Sequence, residues 1–345
     1  LLMVGVAVSR SEADDLNWLA FTHLIGATIY SLYIYLFIPV GSDGRLGGLV
    51  YYDANDFALL VVGTIPFAIY FLRPGVVIWK RLFALFALAL FVEMVIKSGS
   101  RGGFIAFIVL MAYIVIAFRS IPTRLRLSAV AAAAVIMVVF GSTAYWNMMR
   151  TLLHTKDDYN MTDQAGRKFV WKRGIGYMFT HPILGVGAAN FEQAEGTLSA
   201  ISRQYAMENR GLKWSTAHNS FVLVGAELGI GGLILFVTMI GTSIHRLAQI
   251  KDGRDGDPVV TAEDVAFSQM LIASLIGFCV AGFFVSASYF SFLYALLGLV
   301  IAEDSLRKRR LARGGGGAAT VSAPTRTNAV RARHAAPRTH WVPAG

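Results

Sequence analysis

Two arginines and one histidine, far apart along the chain, are of types and in settings suited to holding a phosphate and moving a proton. Arg101 lies in Ser98-Gly99-Ser100-Arg101-Gly102-Gly103, between two apolar runs. Small neighbours remove bulk from around it and expose backbone N–H groups, and the planar fork of a guanidinium matches phosphate oxygens in pairs. The plainer reading is an arginine snorkelling at a tight turn beside a glycine contact between helices. Arg167 opens Gly166-Arg167-Lys168-Phe169-Val170-Trp171-Lys172-Arg173, whose pattern predicts a helix running to Thr180. On that helix Arg167 shares a face with Trp171, Gly174 and Met178, while Lys168 and Lys172 share a neighbouring face. Interfacial helices keep their cations on the polar face. An arginine turned with the apolar stripe therefore points to an anionic partner beneath it, unless the helix begins later and leaves Arg167 in a solvated loop. His218, in Ala217-His218-Asn219-Ser220, stands where the next apolar run begins. Near its ordinary pKa of ~6.5 an imidazole accepts a proton at neutral pH, which suits a general base on a hydroxyl. Alternatively, His218 or Asn219 caps the helix.

Other groupings carry less. Asp53-Ala54-Asn55-Asp56 has two carboxylates for a metal, but Asp and Asn before an apolar run more often cap a helix. Glu227 falls about half a turn from His218 and is expected to pair with another helix instead. The single cysteine, Cys279, excludes a disulfide or a cysteine metal site within one chain. Neither a P-loop nor an HExxH or GxSxG motif is present.

The elements that must position these residues are membrane helices. Of 345 residues, 55% are hydrophobic and 15% charged, against about 25% charged in an ordinary soluble domain. The apolar runs are Asn17–Val40, Phe57–Leu72, Trp79–Ile96, Phe104–Phe118, Leu127–Trp146, Ser220–Ile244, Val265–Val285 and Phe290–Ala302. The expected fold class is all-α, a polytopic transmembrane helix bundle of about eight spans. Leu1–Val8 reads as the end of a further, partial helix with no initiator Met, so the chain is expected to be a fragment lacking earlier membrane segments. The net charge of +10 comes mostly from the tail after Leu306. A basic flank beside a membrane helix sets topology and gives no reason to invoke nucleic acid.

Counting Lys and Arg in alternate connections puts Arg73, Lys80, Arg81, Arg119, Arg124, Arg126, Arg246, Lys251, Arg254 and the tail on the cytoplasmic side. The segment 147–219 then lies outside; connections longer than about 60 residues escape the charge rule. Its aromatic residues Trp171, Phe179, Phe191, Tyr205 and Trp214 suggest a loop folded onto the membrane surface. The organisation read from sequence is thus N-terminal membrane helices over 1–146, a large helical periplasmic loop with amphipathic helices over 147–219, C-terminal membrane helices over 220–304, and a basic disordered cytoplasmic tail over 305–345.

Taken in order, the three motifs resemble the O-antigen ligase and O-antigen polymerase superfamily of bacterial membrane glycosyltransferases, which includes protein O-oligosaccharyltransferases. The matching stretches are 48–58, ending Asp53-Ala54-Asn55-Asp56-Phe57-Ala58; then Ser100-Arg101-Gly102-Gly103; then Gly166-Arg167 through Trp171 to His181-Pro182-Ile183-Leu184-Gly185-Val186-Gly187 and Asn190-Phe191; and finally His218-Asn219-Ser220 with Glu227-Leu228-Gly229. The resemblance implies transfer of a glycan from an undecaprenyl-diphosphate carrier to an acceptor hydroxyl at the periplasmic face of the inner membrane, without metal or cofactor. The acceptor would be a lipid A core, a second glycan or a protein. Carried over by motif, Arg101 and Arg167 would hold the diphosphate and His218 would assist the acceptor hydroxyl as the catalytic set. Asn55, Ser100, Gly102, Lys168, Lys172, Arg173 and Asn219 would line the substrate. It also implies more membrane helices before Asn17. A transporter of the same lipid-linked glycan is the alternative class; it predicts polar residues through the middle of several helices, where these runs are mostly clean.

Overall fold

The computed structural model describes residues 13–42, 44–47, 49, 53–118, 121–153, 162–163, 166–209, 215–252 and 260–318. Leu1–Val8, Trp214 and the tail beyond residue 318 lie outside the described residues. Among those described, the regular secondary structure is helical apart from one isolated antiparallel bridge between Val40 and Leu46. The helices are α1 (Ala13–Phe37), α2 (Ala54–Phe71), α3 (Ile78–Ser98), α4 (Arg101–Ala117), α5 (Thr123–Phe140), α6 (Thr143–Arg150), α7 (Arg167–Thr180), α8 (Phe191–Thr197), α9 (Ala200–Met207), α10 (Ser220–Asp252), α11 (Ala262–Gly282) and α12 (Ser291–Ala318). Five of them, α1, α2, α5, α10 and α11, are long and apolar enough to cross a membrane. Helix α4 is apolar but has 17 residues. Helix α3 carries Lys80, Arg81, Glu93 and Lys97, and α12 runs on into Arg307–Arg310.

Two sequence expectations change. The run Leu127–Trp146 is not one helix: α5 stops at Phe140, and Ser142 caps α6 by accepting the Tyr145 N–H. A side chain on Gly141 would stand 2.5 Å from the Met137 carbonyl, so the glycine is what lets the chain turn there. The first part of the tail expected to be disordered, residues 305–318, is instead helical as the end of α12.

Packing places α2 at the centre. Of the membrane-crossing stretch of α2, 83% is buried within the protein, against 17% for α5, which therefore stands at the rim. Phe57, Leu59, Val62 and Phe67 of α2 meet Met270, Leu271, Leu275 and Phe278 of α11 in one apolar core. In lipid such contacts are held by close packing, with small residues allowing helices to approach. Gly63 shows this, since a side chain there would sit 2.4 Å from the Phe292 ring. Outward, Ile29 and Leu36 of α1, Val138 and Val139 of α5, and Ile234 and Leu235 of α10 are exposed, as suits helices turned toward hydrocarbon.

The helix directions bring the starts of α2, α4 and α10 and the end of α11 to one end of the bundle. At the opposite end, Glu263 accepts from Arg73 (2.5 Å) and Asn17 (2.8 Å), while Asn17 accepts from the Tyr70 hydroxyl. Arg310 reaches Asp264 at 2.8 Å. These bonds tie α1, α2, α11 and α12 together.

Helix α10 is interrupted. Gly229 has φ +72° and ψ −172°, so the stretch before it and the stretch after it are separate helical pieces. The connection following α7 fills the break. Val186 and Gly187 donate to the carbonyls of Ala226 and Glu227 (2.8 and 3.0 Å), and Ile230 donates to the Pro182 carbonyl (2.9 Å). Groups that an unbroken helix would pair internally are thus satisfied from outside, as backbone at membrane depth requires. Gly185 (φ +62°) lies against this seam, where a side chain would come within 2.3 Å of the Glu227 carbonyl carbon. Gly185→Ala and Gly229→Ala should each lower stability by about 2 kcal/mol or more through left-handed strain plus collision. Gly231→Ala, where nothing lies within 4 Å, should be near neutral. Melting of the purified protein in detergent checks this; equal midpoints for all three variants would remove the seam from the account.

Candidate anion site

The end of the bundle where α2, α4 and α10 begin holds the residues singled out from sequence. Helix α3 ends in Gly99, whose left-handed backbone (φ +59°) turns the chain. Ser100 then caps α4 by accepting the Gly103 N–H at 3.1 Å, so Arg101 is the first residue of α4. Helix α7 begins at Arg167, after Gly166, which supplies no side-chain cap. Both arginines thus occupy first helical positions, at the positive end of the macrodipole, where a cation is disfavoured and an anion is favoured.

His218 stands before α10 with φ +47°. A non-glycine residue there costs about 1 kcal/mol and persists only when its surroundings impose it. The restraints are on either side. Asn219 accepts from the Phe221 and Val222 N–H groups (2.9 and 3.0 Å), making it the cap of α10. Trp171 donates its ring N–H to the Ala217 carbonyl (3.0 Å). Behind them, the Ser220 hydroxyl donates to the Val285 carbonyl and accepts from the Ala287 N–H, and Thr216 bonds Ser286. The Trp171 ring packs edge-on against Phe283, and Gly102 lies against Phe284. The segment after α11 therefore locks α4, α7 and the His218 turn to one another.

The His218 pKa is lowered to about 4, chiefly by burial and then by the charges of Arg167 and Arg45, with Asp53 opposing them. The imidazole is accordingly neutral well below the pH expected from its ordinary value. Arg167, Arg45 and Asp53 are therefore near enough to act on His218 electrostatically. Arg101 joins the group through Ser100: the Ser100 hydroxyl donates to Asn55 Oδ1 at 2.9 Å, and Asn55 Oδ1 also accepts from Arg45 at 3.4 Å. The guanidinium of Arg101 donates to Thr151, just after α6, at 2.8 Å.

Several expected substrate contacts have other tasks. Asn55 and Ser100 are buried and bonded to each other, so they brace the arginines from behind. Gly102 is buried against Phe284, where a side chain would stand 2.6 Å from its Cβ; it is a packing glycine. Asn219 is spent on the α10 cap. Arg173 donates Nη2 to Glu195 at 2.6 Å and Nε to the same carboxylate, which the Tyr177 hydroxyl also reaches at 2.8 Å. Its position on α7, about two turns short of Thr180 and paired with Glu195 of α8, holds the loop together. Lys168 and Lys172 project from the exposed side of α7. Two groups were not chosen from sequence: Arg45, counted there only as a charge in an outer connection, and Asp53. Asp53 caps α2 in a reciprocal box with Asp56, as its residue type suggested. Glu227 does leave its own helix, accepting from the Phe191 N–H (2.9 Å) and the Tyr289 hydroxyl (2.7 Å).

Fold and site together define a multi-pass, all-helical membrane protein with a cationic cluster at one end of its bundle. Residues 83–237 match the family model Wzy_C, O-Antigen ligase, so the stretch bearing Arg101, Arg167 and His218 is similar to an O-antigen ligase domain. The resemblance to the O-antigen ligase and polymerase superfamily is shown by that match, which supports a membrane glycosyltransferase of this general type. Arg45, Asp53 and Asn55 precede the matched residues. No curated protein matches the chain.

The Arg173–Glu195 pair has a direct test. Glu195 is fully buried and Arg173 mostly so. Glu195→Ala should cost about 3 kcal/mol by stranding the guanidinium, whereas replacing both residues with Met and Leu should recover much of it. Unchanged melting of the single variant would argue against a bracing role.

Proposed function

We propose that this chain moves a glycan from undecaprenyl diphosphate to an acceptor hydroxyl on the periplasmic side of the bacterial inner membrane, as an O-antigen ligase does. The observation that carries the reading is that Arg167, at the start of α7, acts on a His218 held neutral, while Arg101, at the start of α4, joins the same end of the bundle through the Ser100–Asn55–Arg45 hydrogen bonds. Breaking the bond between sugar carbon and phosphate oxygen leaves its electron pair on the diphosphate, whose charge grows by one. Guanidiniums and helix N-termini fixed in place stabilise such developing charge. The acceptor oxygen attacks the sugar carbon from the opposite side, inverting it, and gives its proton to His218. Arg101 and Arg167 hold the diphosphate; Lys168 and Lys172 meet the more distant glycan or lipid headgroups. No metal takes part in this scheme.

Orientation comes from the Lys and Arg count, which assigns the basic end, including Arg73, Lys80 and the α12 tail, to the cytoplasm. Eight helices, α1–α5 and α10–α12, then make the bundle, with α6–α9 on the periplasmic face. Exposed Phe179, Ile183 and Leu184 beside α10 support a loop resting on the bilayer surface, where a lipid headgroup lies. The description of the matched family favours the ligase reaction; a polymerase or protein O-oligosaccharyltransferase would use the same site with a different acceptor.

His218→Ala should abolish transfer while the protein still inserts and folds. Arg101→Lys and Arg167→Lys should each lower turnover by roughly 10–100-fold, since a point charge cannot bridge two oxygens. EDTA should leave the rate unchanged. In an assay with purified donor, full activity of the histidine variant would dismiss the general base. The pH profile is a second check. His218 accepts a proton only when neutral, so kcat/KM should fall only as pH drops through about 4. An anionic donor stabilises the imidazolium, so the acid limb of kcat should lie higher than that of kcat/KM. A kcat/KM limb at ~6.5 would contradict the buried setting.

A further inference from the structure

Arg45 belongs to a short turn before α2 that looks, from sequence, like an ordinary connection. Its backbone is fixed on three sides. Gly41 donates to the Arg45 carbonyl (2.8 Å), Gly44 donates to Gly41 (2.9 Å), and Leu46 donates to the Lys97 carbonyl at the end of α3 (3.1 Å). The side-chain stem passes over Gly99, where any Cβ would come within 2.6 Å of the Arg45 Cγ. Gly44 rests on Ala144 and Tyr145 of α6, the helix that also delivers Thr151 to Arg101. A snorkelling arginine has a loose stem and a head in water. This one is aimed, and its head touches Asn55, the residue that also receives the Ser100 hydroxyl.

We propose that Arg45 is a third diphosphate-binding guanidinium, acting with Arg101 and Arg167. The inference rests on the glycan-transfer reading and deepens it. Charge balance gives the reason for a third cation. A diphosphate joining a lipid and a sugar bears two negative charges, which Arg101 and Arg167 match. When the sugar carbon–oxygen bond breaks, the electron pair stays on the diphosphate and makes it trianionic; the acceptor proton passes to His218. Arg45 meets the charge that appears only then, so its contribution falls on the chemical step more than on donor binding.

The charged groups that act on His218 are Arg167 from α7, Asp53 from the cap of α2, and Arg45 from the turn. Removing Arg45 takes away one of the two cations that disfavour the imidazolium, so the acid limb moves to higher pH. A residue that only shaped the turn would not shift it in that direction while leaving the fold intact.

The experiment uses the whole chain purified in detergent, with Arg45→Gln and Arg45→Lys compared to wild type for melting, inorganic pyrophosphate binding by calorimetry, and transfer kinetics. Arg45→Gln is expected to weaken pyrophosphate binding at least tenfold and to lower kcat by roughly 10²–10³-fold with a smaller change in donor KM, as loss of one fixed donor does. Its acid limb should rise. Arg45→Lys should keep the limb near its wild-type position and restore part of the rate. Unchanged pyrophosphate affinity in a folded Arg45→Gln protein overturns the assignment, whether or not transfer is seen. Failure of the wild type to transfer any lipid-linked glycan, with pyrophosphate binding still dependent on Arg45, would instead sink the reaction and leave the anion site standing.

Discussion

Positive potential gathered at one end of the bundle is the constraint on which the rest of this structure depends. Helices α2, α4, α7 and α10 all begin there, and each contributes roughly half a positive charge from its unpaired N–H groups. Capping absorbs part of this through Asp53, Ser100 and Asn219. Arg101 and Arg167 add to it, placed where the macrodipole alone would select a carboxylate. Each such placement costs about 0.3–1 kcal/mol in the unliganded protein. A polyanion would reverse the sign of every one of these terms together, which is the physical case for the diphosphate proposed above.

Holding like charges close requires a frame that cannot relax, and the frame is built from backbone and aromatic contacts. The broken turn at Gly229 lets the connection after α7 dock into α10, fixing where α7 starts. The segment Phe283–Ala287 grips the His218 turn through Ser220 and carries the rings that lie against Trp171 and Gly102. Glu227 joins the start of α8 to Tyr289, across the same seam. The neutral imidazole follows from this frame: once buried beside Arg167 and Arg45, His218 holds a proton weakly until negative charge arrives.

Much of this was legible in the sequence because the signals are local. An arginine between glycines, an arginine opening an amphipathic stretch, and a histidine before an apolar run are each visible in a window of a few residues. The helical fold and membrane setting follow from apolar runs in the same way. What escaped depends on contacts between distant segments. Nothing around Arg45 shows that its turn folds onto Gly99. Glu227-Leu228-Gly229 reads as part of a continuous span until Gly185-Val186-Gly187 is seen to supply its hydrogen bonds. The break at Gly141-Ser142 had a signal, a glycine followed by a capping serine, but the surrounding apolar residues outweighed it. Arg173 looked like its neighbours Lys168 and Lys172; only the placement of Glu195 separates it from them.

A structure of the protein in lipid nanodiscs with undecaprenyl diphosphate bound would test the central claim most directly. The account predicts the diphosphate between the starts of α4 and α7, within hydrogen-bonding distance of the Arg101 and Arg167 guanidiniums and beside His218. Density for the diphosphate at the opposite end of the bundle, near Arg73 and Glu263, or against α7 lysines with both arginines turned away, would contradict it.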